Sequence, residues 1–307
     1  MKKTLFILSS ALALVACQKN DEAVRTSEPS RITFAVREMK TDVSGTRGIT
    51  EVTTENLSAM YVTATSGAAD AQAQFSDFKK VEHAIAEQKS TSTYYWPNDG
   101  SNLNFFATNV ALEPTVAATG VTVPVAVTDG DVVYATKMNA VNGSEVALTF
   151  AHAFARLADI KFYMASDDAT ATIDKVIITR FHVAGTMTMA DGSTVGSTAG
   201  TAQEVVPSPA TEITATAVDN AQSLGVDIDQ LMVKDATATS NVALKVTYTV
   251  KKPGYEKQFT KTANVALNAG ESSTVRCALT DDASPIIFTV TVTPWLPVNV
   301  DATLVED

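Results

Sequence analysis

Cys17 is the side chain with the clearest chemistry. It closes the run Leu14-Val15-Ala16-Cys17. Small residues ahead of a cysteine fit a narrow peptidase cleft, and the thiol can accept a diacylglycerol. Upstream stand Lys2 and Lys3, then an apolar stretch over 4–14 that is too short to span a bilayer. These features read as a lipoprotein signal over residues 1–17, cut between Ala16 and Cys17 and lipidated on Cys17. Palmitate-type chains there would tie the chain to a membrane, since each buried methylene contributes about 0.8 kcal/mol. The other cysteine, Cys277, sits in Ser273-Thr274-Val275-Arg276-Cys277-Ala278-Leu279, which alternates like a strand. Nothing adjacent lowers its pKa, so it reads as a small buried hydrophobe.

No other residue set points to catalysis. The histidines His83, His152 and His182 form no HExxH pair and have no cysteine or carboxylate partner at zinc spacing. There is no GxSxG elbow, P-loop or dinucleotide fingerprint. Gly192-Ser193-Thr194-Val195-Gly196 reads as a polar turn, and the acidic pairs Asp167-Asp168 and Asp281-Asp282 as solvated loops. We therefore expect no enzyme, no metal and no cofactor. The net charge of −11 repels phosphate backbones, which argues against nucleic acid as a partner.

The elements around these residues are strands. Apolar residues make up 45% of the 307, enough for a substantial core, and Thr and Val suit a pleated surface. Ile32, Phe34 and Val36 share one face of a strand over 31–37. Residues 38–50 break that pattern with Ser44-Gly45-Thr46-Arg47-Gly48, a loop composition. Further strands are expected at 57–64, 94–96, 103–108, 131–135, 146–150, 173–183 and 243–250. Residues 121–127 read as an edge strand because of Pro124. Residues 75–89 have mixed character and read as a short helix. Lys251-Lys252-Pro253-Gly254 is a turn, with 255–267 as the returning strand. At the end, Phe288, Val290 and Val292 alternate with threonines, and Val298, Val300, Ala302 and Leu304 alternate with polar residues. Short strands separated by turn signals predict an all-β sandwich architecture, with the best internal boundary near residue 150.

The order of several short runs resembles a known family. After the signal and a polar tether come Thr46-Arg47-Gly48, Tyr95-Trp96-Pro97 and Leu103-Asn104-Phe105-Phe106-Ala107. Then follow Asp131-Val132-Val133-Tyr134-Ala135, Leu148-Thr149-Phe150-Ala151-His152-Ala153, Ala155-Arg156-Leu157 and Trp295. This looks like the fimbrillin family, the type V pilus subunits of the Bacteroidota. Gln18-Lys19-Asn20-Asp21-Glu22 also resembles the signal that carries lipoproteins to the cell surface in that phylum.

The resemblance implies two tandem transthyretin-like β-sandwich domains after the lipoprotein signal. Residues 18–50 would be the tether and a removable first strand. Residues 51–150 would form the N-terminal sandwich, completed by 31–37 before cleavage, and 151–307 the C-terminal sandwich with its donor strands. It implies an outer-membrane precursor held by its lipid, cut by an arginine-specific maturation protease. It also implies assembly with other fimbrial subunits by strand exchange, serving adhesion or biofilm formation. In this sequence Arg47-Gly48 suits the cut, though Arg25, Arg31 and Arg37 are alternatives that would spare some or all of the strand. The displaced residues would be Ile32, Phe34 and Val36. The donor would lie in 286–293, with Phe288, Val290 and Val292, or in 298–304, with Val298, Val300 and Leu304. Loss of 1–47, with eight basic and five acidic residues, takes the net charge from −11 to −14. A surface glycan-binding lipoprotein is the alternative reading. It needs exposed aromatics, and the tryptophans available are Trp96 and Trp295.

Overall fold

A computed structural model describes residues 30–39, 57–66, 78–87, 89–117, 120–226, 228, 230–233, 242–281, 287–294 and 301–304. Nearly all of them are strand or turn. The first group of strands is β1 (Arg31–Met39), β2 (Ala59–Ser66), β3 (Lys79–Glu82), β4 (Lys89–Tyr95), β5 (Leu103–Thr108), β6 (Thr115–Ala117), β7 (Gly120–Ala126), β8 (Val133–Ala140) and β9 (Val146–His152). Seven of them are joined in the order β3-β2-β5-β8-β9-β1-β4. Only two residue pairs link β8 to β9, Val133 with His152 and Tyr134 with Ala151. The ribbon therefore folds over at that seam, and its two faces enclose one apolar core. Ile32, Phe34 and Val36 of β1 meet Val62, Phe105, Leu148 and Phe150 there.

The second group is β10 (Ala155–Met164), β11 (Thr170–Thr179), β12 (His182–Thr188), β13 (Thr194–Ala199), β14 (Gln203–Val205), β15 (Thr211–Ile213), β16 (Gln222–Ser223) and β17 (Gln230–Met232), then β18 (Val242–Lys252), β19 (Tyr255–Val265), β20 (Glu271–Leu279), β21 (Ile287–Pro294) and β22 (Asp301–Leu304). One sheet runs β16-β10-β20-β21-β22, with β17 also on β10. It packs against a second, β14-β11-β18-β19, around Phe162, Ile178, Leu244 and Tyr248. The hairpin between β18 and β19 turns on Pro253-Gly254. Gly254 has φ 78°, the left-handed value that the third residue of a type II turn requires.

Two features recur in both groups. Each opens with a strand that runs parallel to a much later strand of its own group: β1 along β9, and β10 along β20. The groups also share a sheet, β13-β12-β7-β6, in which β7 pairs with β12 from Ala126↔Ala184 to Thr122↔Thr188. Beneath it lies a third apolar cluster drawn from both groups, with Phe106, Val123, Phe154, Met187 and Val233.

The all-β expectation agrees with this architecture. Two local expectations do not. Residues 79–82 form β3, not a helix: Met60 of β2 pairs with Val81, and that partner overrides the mixed periodicity. β7 is not a simple edge strand, since β12 and β6 flank it. However, β6 covers only residues 120–122, so Pro124 lies where one side of β7 has no ladder partner.

Candidate functional site

The site is the slot that β1 fills. β1 lies between β4, antiparallel, and β9, parallel. Its inward side chains Ile32, Phe34 and Val36 are 1%, 1% and 4% exposed. The Phe34 ring stands edge-on to Phe105 at 5.4 Å, and Trp96 meets the same ring edge-on at 5.6 Å. Edge-to-face geometry sets a positive ring edge against a negative face, which favours an aromatic at this position. Backbone bonds fix the strand's ends and register. Ser92 Oγ donates to the Ile32 carbonyl at 2.9 Å, and the Trp96 N–H donates to the Ser30 carbonyl at 3.0 Å. At the mouth, Arg31 Nε donates to the Tyr95 hydroxyl at 3.2 Å. Burying three such side chains contributes roughly 5–9 kcal/mol, comparable to the whole stability of an ordinary domain. A chain deprived of β1 would carry an unfilled core and two open strand edges.

The residues that wall the slot are held by the motifs singled out in the sequence. Asp131 and His152 form a buried pair, Nδ1 to Oδ1 at 2.9 Å. It lies at the seam where β8 meets β9, so the runs around Asp131 and His152 are neighbours in space. Asn109 closes the same corner, accepting from the Val133 N–H at 2.9 Å and donating to the Asp131 carbonyl at 2.8 Å. His83 makes a comparable buried contact, Nδ1 to Ser90 Oγ at 2.8 Å, behind β4.

The predicted residues distribute as follows. Ile32, Phe34 and Val36 come together in the slot. Phe288, Val290 and Val292 lie on β21, opposite Cys277, Val275 and Ser273 of β20, and Leu304 of β22 lies opposite Phe288. Ala16, Cys17, Arg47, Gly48, Val298 and Val300 lie outside the described residues, as does Arg25. Arg31 and Arg37 are inside β1, Arg31 paired with Tyr95 of β4 and Arg37 at the bulge of the β1–β9 ladder, where a protease cleft that requires free extended chain has no access without opening the sheet. Cys277 is buried, and burial pushes its thiol pKa well up. Trp96 is a core residue, 3% exposed, so it offers no platform for a sugar ring.

Sequence reasoning did not name Phe105, Ser92 or Tyr95 as slot residues. The run Leu103-Asn104-Phe105-Phe106 carried the signal for the first, because alternating large apolars on a central strand must face something large. The acidic pairs also resolve. Lys252 sits between Asp168, at 3.4 Å, and Asp281. The hydrogen bond to Asp281 raises the Lys252 pKa, and bonds from Ser166 and then Lys252 lower that of Asp168. Among the described residues no cluster of three or more His, Cys, Asp or Glu is placed to hold a metal ion.

An all-β chain whose first strand fills a slot between two later strands has the architecture of a β-sandwich protein completed by its own first strand. The model of the fimbrillin-like family matches residues 46–295. The chain belongs to that family, and membership places it among fimbrial structural proteins of the cell surface. Among solved structures it is similar to a fimbrial protein from Bacteroides vulgatus ATCC 8482 and to a candidate cell-adhesion protein from Parabacteroides distasonis ATCC 8503. The first is 14% identical with a TM-score of 0.59, over 87% of this chain and all of the other. The second is 12% identical with a TM-score of 0.60, over 88% and 98%. At such identities the likeness speaks for the fold alone. None of the curated proteins compared with the chain matches it.

Proposed function

We propose that the chain is a structural subunit of a fimbrium, exported as a lipoprotein on Cys17, built as two tandem transthyretin-like sandwiches and matured by proteolysis after Arg47. The cut releases the anchor and β1 together, and the slot is refilled by a strand from another subunit. Repeated head to tail, that contact does not close on itself and yields a filament. The observation that carries this reading is β1 itself. It contributes the inward side chains Ile32, Phe34 and Val36 to a core shared with strands from β2 onward, and residues 40–58 connect it to them. Cutting that connection converts an internal strand into a removable ligand.

The test uses the full precursor, treated with an arginine-specific protease. The N-terminus of the product should be Gly48, residues 18–47 should dissociate, and electron microscopy should show filaments. Quantitative cleavage at Arg47 that leaves a stable monomer would defeat the proposal.

A further inference from the structure

The slot and the C-terminal strand share a pattern. β1 carries Ile32-Thr33-Phe34-Ala35-Val36, and residues 286–290 read Ile286-Ile287-Phe288-Thr289-Val290. The inward positions of β1 are isoleucine, phenylalanine and valine, in that order. The same three side chains recur at the same period of two and in the same chain direction. Residues 298–304 offer no aromatic at any position.

The slot discriminates between these segments. Phe105 stands in edge-to-face contact with both Phe34 and Trp96. A strand with valine, alanine or leucine opposite Phe105 leaves the volume of a ring unfilled, and a one-residue slip turns every apolar side chain outward.

We propose that β21 of a second copy of this chain enters the slot in one register, with Phe288 in the place of Phe34 and the strand running parallel to β9. This rests on the strand-exchange reading and fixes three things that reading leaves open: the segment, its direction and its register. In the pairing that β1 shows, Phe34 faces Val146, Ala35 faces Ala147 and Val36 faces Leu148. Phe288, Thr289 and Val290 take those partners. β1 then bulges, skipping Arg37 and setting Glu38 beside Thr149. β21 has no need of that bulge. Its Thr291 falls beside Thr149 and its Val292 beside Phe150, which is buried. Val292 thus takes the partner that Met39 holds in β1, and the incoming strand supplies an apolar residue at each of the positions of Ile32, Phe34, Val36 and Met39. In its own chain β21 has β20 on one side and only the four-residue β22 on the other. The chain just before it is held: Tyr248 donates to the Thr280 carbonyl at 2.9 Å, and Asp281 is paired with Lys252. The strand leaves its own sheet from a fixed point.

Engineered cysteine pairs read the register directly. In filaments grown from the chain cleaved after Arg47, Ala147→Cys with Thr289→Cys should give a ladder of disulfide-linked oligomers on mild oxidation. Adjacent strands set such pairs within the Cα separation a disulfide spans. Ala147→Cys with Thr291→Cys should give less than a tenth of that yield. Cys277 lies opposite Phe288 and loses that cover when β21 departs, so it is replaced by alanine in every variant. A ladder from Thr291→Cys or Thr303→Cys in place of Thr289→Cys overturns the register and leaves strand exchange standing. Failure of the cleaved parent chain to form any filament overturns strand exchange, and this proposal with it. As a second arm, Phe288→Ala should reduce filament yield at least tenfold, while Leu304→Ala stays within twofold of the parent. The reverse order assigns the donor role to the later segment.

Discussion

Replacing Phe34 by alanine removes a ring that is 1% exposed and stands at 5.4 Å from Phe105. A buried Phe→Ala change costs about 3–5 kcal/mol, from lost burial and the cavity that remains. That range applies here because Phe105 and Trp96, which pack edge-to-face on each other, are themselves buried at 0% and 3% exposed. The outward neighbour Thr33, half-buried on the same strand, is the control, and Thr33→Ala should cost less than about 1 kcal/mol. The assay is urea unfolding of the uncleaved chain with Cys17 replaced by serine, followed by tryptophan fluorescence and far-UV circular dichroism. If unfolding is not a single transition, the loss should appear in the one that reports Trp96. A cost below about 1 kcal/mol for Phe34→Ala would show that β1 does not hold the core together, and the premise that its release empties a slot would fall.

Other outcomes follow from the same contacts. Asp131→Ala leaves the buried His152 ring without its Asp131 hydrogen bond and should cost about 1–3 kcal/mol, read as a lower Tm. Gly192→Ala should lower the Tm as well, since φ there is 73° and an added Cβ would overlap the Tyr134 hydroxyl. Stability should also respond to pH through Lys252 and Asp168. The folded pKa of Lys252 is raised, so its contribution is complete below the free-lysine value of 10.5 and fades as pH climbs through the folded value. That of Asp168 is lowered, so its contribution is complete above 3.8 and fades as pH drops through the folded value. Lys252→Met should flatten the alkaline limb of a Tm-versus-pH curve and weaken the acid limb, which the Ser166 bond to Asp168 still sustains. Cys277 should resist a thiol reagent in the native chain and react fully in denaturant, and rapid native labelling would refute its burial.

The alternation of Ile32, Phe34 and Val36 was enough to place a half-buried strand, because a period of two is a local property. So was the hairpin turn at Pro253-Gly254, where residue type and φ agree. The parallel pairings of β1 with β9 and β10 with β20 were not legible. They join residues more than 100 apart, and nothing local in either strand names its partner. The shared sheet escaped notice for the same reason, and the Thr, Ala, Gly and Ser around β12 and β13 gave little apolar contrast to read. Residues 79–82 misled because a four-residue strand offers barely two periods, and its partner β2 decided the outcome. At the site, the aromatic on β1 was visible but its receptor was not. Phe105 and Phe106 are adjacent, face opposite sides of β5, and feed two different apolar clusters. Only the fold says which one meets Phe34.

The parallel pairing of β1 with β9 has a mechanical consequence. β9 runs into β10 through Ala153 and Phe154 alone, and β10 lies parallel to β20, which leads to β21. In the filament proposed above, a pull carried by the exchanged strand would pass through these two parallel ladders. Each ladder is then loaded in shear, and its bonds must break together instead of unzipping one by one.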